Sequence, residues 1–441
     1  MNTPIFDFVN TYIQKNMSRF HMPGHKGQSF LGFEERDITE IIGADVLSKA
    51  TGIIGESEQN ATSLFGSAHT YYVTQGSSTA ICAMLSLVES KRKRPLIWAA
   101  RNVHKAFVHA AALLDLDVEF LLSEKQTNVI KCEISPEFLA KKLEKANQKP
   151  DAFYVTSPDY LGTLQDILAL SAVLKEYNIP LLVDNAHGAY LKFLPESLHP
   201  LDLGAAACCD SAHKTFPVLT GGAYLHISKN APASYLAKAR QKLALFSSTS
   251  PSYLILQSLD LCNRYLETLT PTLADCISKI SDFKNELMKK GIFLSGTEPL
   301  KIVMNAAKSG LKGDEIAKSL RTHNIEPEFY DTDFLTLMVT PQNTELDFER
   351  LYTAFSNIHP KNSVKQTYIP FEIPEQACSI REAVFAENEK VSVADAEGRI
   401  CGMLTVSCPP AIPLVVCGER ITKKQIELLE HYNINEIEVI K

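Results

Sequence analysis

Two short stretches hold the residues best suited to chemistry. Cys208-Cys209-Asp210-Ser211-Ala212-His213-Lys214-Thr215-Phe216 sets a lysine among small and polar neighbours. Upstream, Ile179-Pro180-Leu181-Leu182-Val183-Asp184-Asn185-Ala186-His187-Gly188 reads as a buried strand with a carboxylate at its end. Alone, each has an ordinary explanation, a surface lysine or a helix-capping aspartate. Together they suit one cofactor. A lysine amine condenses with an aldehyde to a Schiff base, and a buried aspartate keeps a pyridinium nitrogen protonated; pyridoxal phosphate requires both.

A phosphate needs a cradle, and one stretch supplies it. The β-rich run His69–Val73 ends in Thr74-Gln75-Gly76-Ser77-Ser78-Thr79, and an apolar helix follows at once. Unpaired N–H groups and hydroxyls at a helix N-terminus favour an anion. Gly76 lets the backbone come close to a ligand. A plain serine cap explains the same residues, so this stretch matters mainly beside Asp184 and Lys214. Past another strand, Pro95–Ala100, comes Arg101-Asn102-Val103-His104-Lys105. Here the local sequence leaves two readings open: an imidazole lying flat on an aromatic cofactor, or a helix-terminal histidine. The loop Phe20-His21-Met22-Pro23-Gly24-His25-Lys26-Gly27 has no carboxylate or cysteine at ligand spacing and reads as a turn near the active site rather than a metal centre.

The surrounding pattern says how these residues are held. Val118–Leu122, Ala152–Ser157 and Ile179–Asp184 are strand-like, and Leu168–Tyr177 and the stretch opened by Ser135-Pro136-Glu137 are helical. Apolar strands alternating with amphipathic helices indicate an α/β fold with a mostly parallel sheet covered on both faces. Ligands gather at the C-terminal strand ends of such sheets, where Ser77, His104, Asp184 and Lys214 all fall. Gly221–Ile227 reads as the last strand of this sheet, and a hydroxyl-rich loop at Phe246–Tyr253 leads into a helix over Leu254–Leu269. From 271 to 359 the pattern becomes helix, strand, helix, strand, helix, a smaller α+β domain, and a Pro-interrupted C-terminal segment follows. The expected organisation is an N-terminal arm over 1–35 with a short helix near Phe8–Lys15, a large domain over 36–270, a small one over 271–360 and a third over 361–441.

Composition excludes several classes. A chain of 441 residues, 45% hydrophobic, buries a large core, and a net charge of -7 with mixed signs gives no field for nucleic acid or an anionic membrane. No apolar run reaches membrane-spanning length, and Met1–Asp7 lacks the basic and apolar regions of a signal peptide. The ten cysteines are scattered without a C-x-x-C, as small hydrophobes in a reducing compartment would be. The expectation is a cytoplasmic enzyme without a metal.

Taken in order, the motifs resemble those of the Orn/Lys/Arg decarboxylase family. They are His21–Gly27, Gln75–Thr79, Arg101–Lys105, Thr156-Ser157-Pro158-Asp159-Tyr160, Asp184–Gly188, Ser211–Thr215, Ser248–Tyr253 and Pro409-Pro410-Ala411-Ile412-Pro413. Eight motifs in one order are specific where each alone is weak. The resemblance implies a fold-type-I, aspartate-aminotransferase-like large domain, an α+β C-terminal domain and a short form without the additional N-terminal domain of longer members. It implies that Lys214 is the Schiff-base lysine and Asp184 the partner of the pyridine nitrogen. His104 would stack on the ring, and Ala186 and His187 would line its other side or edge. Ser77, Ser78, Ser211 and His213 would hold the phosphate, and Thr249 or Ser248 the phosphate of a neighbouring subunit in a homodimer. Asn185 stands where an acidic residue is common, and Ala411 where a glycine is usual. The implied activity is decarboxylation of arginine, lysine or ornithine to an amine of polyamine metabolism, with arginine or lysine favoured over ornithine. Two other readings share the cofactor residues: an aminotransferase or aldolase on the same fold, and a non-catalytic homologue that binds the cofactor.

Overall fold

A computed structural model describes the chain apart from residues 124–129, 361–370, 405 and 409–411. Ala411 and its two preceding prolines therefore lie outside the described residues. Seven strands form the main sheet: β1 (His69–Val73), β2 (Leu96–Ala100), β3 (Asp117–Leu121), β4 (Ala152–Thr156), β5 (Leu181–Asp184), β6 (Ala207–Asp210) and β7 (Ala223–Ile227). Their order is β1-β7-β6-β5-β4-β2-β3. β2 runs parallel to β3 and β5 parallel to β6, while β7 runs antiparallel to both β6 and β1. Hence β1, β5 and β6 point the same way and end at the same edge.

The chain folds as two compact units. The first comprises Met1–Glu89, Asp151–Phe153 and Ile167–Pro271; the second comprises Ser90–Pro150, Tyr154–Asp166 and Thr272–Lys441. In the first unit, β5, β6 and β7 are buried along their whole length, as expected of strands covered on both faces. Each fully buried leucine or valine there contributes about 1.5–3 kcal/mol, which fixes the strand ends to which the polar residues are attached. The helix Gly76–Leu85 follows β1 after a two-residue turn. The expected hydroxyl-rich cap is real: Ser252 Oγ accepts from Ile255 N–H at the start of the helix Tyr253–Leu266.

The N-terminal helix begins earlier than its sequence pattern suggested, at Pro4, and runs to Gln14. Proline costs nothing in a first turn, where its missing N–H would be unpaired anyway. Two N–H groups that the turn does leave over, of Ile5 and Phe6, both donate to Asp260 Oδ2 at 2.9 Å. The cap is supplied from elsewhere in the chain, so local reading could not find it.

In the second unit, β8 (Leu294–Ser295), β9 (Lys301–Asn305), β10 (Phe329–Tyr330) and β11 (Phe334–Met338) make an antiparallel sheet in the order β10-β11-β9-β8. With the helices Gly313–Thr322 and Glu345–Ser356, this accounts for the alternation read from 271 to 359. Further on, β12 (Asn388–Ser392) pairs with β15 (Glu436–Ile440), and β13 (Val406–Cys408) with β14 (Ile412–Val415). Arg101, which directly follows β2, is wholly buried in this unit. Its guanidinium donates to the carbonyls of Pro413 (2.8 Å) and Leu414 (3.3 Å) and to Glu419 Oε2 (3.3 Å). It also lies about 5 Å from the centres of the Phe120 and Phe371 rings. An arginine buried this deeply needs such partners, although its Nε has no hydrogen bond among the described residues.

Candidate active site

The shared edge of β1, β5 and β6 brings the sequence-derived residues of the first unit together. Asp184 ends β5 and is 2% exposed. Its Oδ1 accepts from Ala186 N–H at 3.2 Å and from the Cys209 thiol at 3.7 Å. Burial, followed by the nearby Asp184 carboxylate, pushes the Cys209 thiol well above its usual value, so the sulfur stays protonated as a donor. Ser211 follows β6 and donates its hydroxyl to Ser77 Oγ at 2.8 Å. Ser77 stands in the first turn of the ten-residue helix Gly76–Leu85, preceded by Gly76 at φ +77°. Among the described residues, and apart from its chain neighbours and its own helix, nothing lies within 4 Å of the position a Cβ on Gly76 would take. Ser78, next on the same turn, is exposed.

Lys214 is part-buried in the short helix Ala212–Thr215, with its Nζ 2.9 Å from His187 Nε2. Ala186 and His187 are both buried just beyond β5. His213 Nδ1–H donates to the Gly222 carbonyl at 2.9 Å. Burial pushes the His213 imidazole down, Gly222 opposes this and Lys214 adds to it. A neutral ring that spends its one N–H on Gly222 presents its other nitrogen as an acceptor. His213 is thus less suited to a phosphate than the two serines.

Other expected residues lie elsewhere. His104 belongs to the second unit, where it caps the helix Lys105–Leu114 by accepting from Ala106 N–H at 3.1 Å. The helix-terminal reading of His104 is thus met in the second unit. Ser248 and Thr249 are exposed and line a cleft of about 330 Å³ with Tyr72 and Arg240. The histidines of the His21–Gly27 loop have local partners: His21 Nε2 meets the Tyr12 hydroxyl at 2.8 Å, and His25 Nε2 meets Asp37 Oδ2 at 3.3 Å.

Sequence reasoning missed the support beneath these residues. Asn185 is buried and donates Nδ2 to Asp210 Oδ1 at 2.7 Å. Asp210 Oδ2 in turn accepts from His199 Nε2 (3.0 Å) and His226 Nε2 (3.1 Å). Burial pushes the Asp210 carboxyl up, but His199 and His226 outweigh it and hold the carboxyl well below the usual range. Asn185 is thus paired with an acid on the neighbouring strand. The only local signal was a charged residue closing the apolar run Ala205–Cys209.

These residues fit pyridoxal phosphate. A buried carboxylate, an amine beside an imidazole, and a hydroxyl pair at a helix N-terminus with open space over Gly76 match its ring nitrogen, aldehyde and phosphate.

A family model described as Orn/Lys/Arg decarboxylase, major domain, matches residues 3–341, and one described as its C-terminal domain matches 362–437. The chain belongs to the Orn/Lys/Arg decarboxylase family. As a member of it, the chain is a pyridoxal-phosphate-dependent enzyme that decarboxylates a basic amino acid. Among its relatives, arginine decarboxylase of Bacillus subtilis (strain 168) is 28% identical, across 97% of this chain and 93% of that protein. Arginine decarboxylase of Bacillus anthracis is 29% identical, across 97% and 92%. The family fold is equally plain in solved structures. Lysine decarboxylase of Francisella novicida superposes with a TM-score of 0.84, covering 100% of this chain and 81% of that one at 18% identity. Constitutive lysine decarboxylase of E. coli gives 0.81, with 100% and 82% covered at 16% identity. The fold-type-I expectation therefore holds, with β7 reversed within a mostly parallel sheet.

Proposed function

We propose that this decarboxylase acts on arginine and releases agmatine and carbon dioxide. The observation that carries the choice is the near full-length similarity to several arginine decarboxylases of bacilli. The test offers arginine, lysine and ornithine separately with pyridoxal phosphate, measuring carbon dioxide and identifying the amine by mass. Agmatine as the main product is expected. Cadaverine or putrescine in its place moves the substrate assignment, and a keto acid without carbon dioxide overturns decarboxylation itself.

The site residues divide the work as follows in this reading. Bound pyridoxal phosphate supplies an aldehyde carbon for amine exchange and an electron-accepting pyridinium ring. Lys214 Nζ would hold the cofactor through its aldehyde, and as a free amine beside the substrate it would carry the proton that reaches the substrate Cα. His187 Nε2, 2.9 Å from that nitrogen, takes or gives the proton that Lys214 exchanges. Asp184 would keep the ring nitrogen protonated, and the Ala186 N–H and Cys209 thiol help to fix the direction of its carboxylate. Gly76, Ser77, Ser78 and Ser211 hold the phosphate, with His213 at its edge.

The same reading makes the enzyme a cytoplasmic homodimer of polyamine biosynthesis, in which Ser248 or Thr249 reaches the phosphate of the second copy. Exposed Phe20, Phe30, Leu31 and Ile42 support the dimer, because so many large apolar side chains favour burial against a partner. Among the described residues no helix is long and apolar enough to cross a membrane. Sedimentation at micromolar concentration tests the assembly, and a monomer that retains cofactor would rule it out.

A further inference from the structure

We infer that Asp210 and Asn185 form a positioning clamp that holds the end of β5, with Asp184, in register with the end of β6, with Ser211 and Lys214. The inference rests on the cofactor site described above.

Three observations carry it. First, the Asn185–Asp210 hydrogen bond joins the residue after Asp184 to the residue before Ser211, at 2.7 Å and wholly away from solvent. Because Ser211 contacts Ser77 and Asp184 contacts Cys209, a slip between these strand ends would part the carboxylate from the phosphate cradle.

Second, Asp210 is itself anchored from two further directions. His199 Nδ1 accepts from Leu201 N–H, so its Nε2–H must donate to Asp210. His226 on β7 reaches the same oxygen, and its Nδ1 meets Thr70 Oγ1 on β1 at 2.9 Å. Phe65 packs on both imidazoles, with ring centres 5.5 and 4.4 Å apart. The carboxylate thus ties together β1, β5, β6 and β7.

Third, the polarity of the pair is fixed. A carboxylate only accepts and the Asn185 amide donates to one of its oxygens, while the two imidazole N–H groups bond the other. His199, Cys208 and Asp210 also stand close enough together to share a metal ion. Burial pushes the Cys208 thiol well above its usual value, and Asp210 already has three donors, so the arrangement is that of a hydrogen-bond hub.

The test is a swap. Asn185→Asp places two carboxylates at hydrogen-bond distance, whereas the double variant Asn185→Asp/Asp210→Asn restores one donor and one acceptor in reversed order. The full-length proteins, freed of cofactor, are titrated with pyridoxal phosphate by visible absorbance, and visible circular dichroism reads the setting of the bound ring. Asn185→Asp is expected to raise the dissociation constant about tenfold or more, and the double variant to return it to within about threefold of the parent. The visible dichroism should change in the single variant and recover in the double, a signature that lost stability alone would not produce. Asn185→Ala, which removes the clamp without adding charge, is read in the same way if Asn185→Asp does not fold. Single variants that bind like the parent, or a double variant as weak as the two singles multiplied, would overturn the clamp while leaving the cofactor site standing. A parent that binds no pyridoxal phosphate would overturn the cofactor reading as well.

Discussion

Lys214 Nζ and His187 Nε2 stand 2.9 Å apart, close enough for one proton to serve both nitrogens. An amine that must attack, leave and protonate in turn needs such a neighbour, because only its neutral form is nucleophilic. Lys214→Ala is expected to keep the fold and to lose the yellow band and the borohydride-trapped adduct. An adduct retained on Lys26 or Lys105 would refute the assignment. His187→Phe should keep the adduct and lower turnover by about 10²–10⁴-fold, the usual contribution of one proton-transfer group.

Asp184→Asn separates a catalytic charge from a structural hydrogen bond. The amide still bonds at the end of β5 but cannot hold a pyridinium proton. Near-normal folding with cofactor bound is expected, with turnover reduced by several orders of magnitude. Unchanged turnover would mean that another group maintains the electron sink.

Much of this site was legible in the sequence because its residues sit where apolar strands stop. Val183 to Asp184 and Cys209 to Asp210 are abrupt changes of polarity, and Gly76-Ser77-Ser78 is a break between a strand and a helix pattern. What was not legible depends on pairs distant in the chain. Asp210 meets His226, Asp260 caps the helix at Pro4, and Arg101 meets Glu419 over 318 residues. No periodicity marks such partners, since each looks locally like a solvated polar residue. The reversed direction of β7 was hidden for the same reason: a fully buried strand reads alike in either direction.

Arg101→Met tests the buried pair in the second unit. Burial pushes the Glu419 carboxyl up, and Arg101 is the main influence holding it down. Removing the guanidinium leaves that carboxylate buried without its counter-charge, for an expected loss of about 3–5 kcal/mol in denaturant unfolding. Arg101→Met/Glu419→Leu should recover much of it. A double variant as unstable as the single would place the effect in the lost packing on Phe120 and Phe371 instead.

Asp260 gives a pH dependence whose sign is fixed. Burial raises its pKa to about 6, against the lowering effect of Ser57 and the N–H groups of Phe6 and Ile5. The folded protein therefore binds a proton at Asp260 that the unfolded chain releases nearer pH 4. Stability from this group is fully present below about pH 4 and falls as pH rises to about 6. Asp260→Asn should remove that decline, so that the variant gains on the parent by about 1–3 kcal/mol between pH 4 and 7. Parallel stability curves for the two proteins would refute it.

The interleaving of the two units bears on how the protein is made. The chain leaves the first unit at Glu89, returns for Asp151–Phe153, leaves again and comes back at Ile167, and β4 is shared between both units. A ribosome therefore cannot release one finished half and proceed to the next. The first unit is incomplete until β7, which joins β1 to β6, and the helices that follow it up to Pro271 have emerged, and the second waits for the last strand at Glu436–Ile440. Nascent chains stalled before residue 271 should expose unpaired strand edges and depend on chaperones, whereas domain-by-domain folders would already be protected.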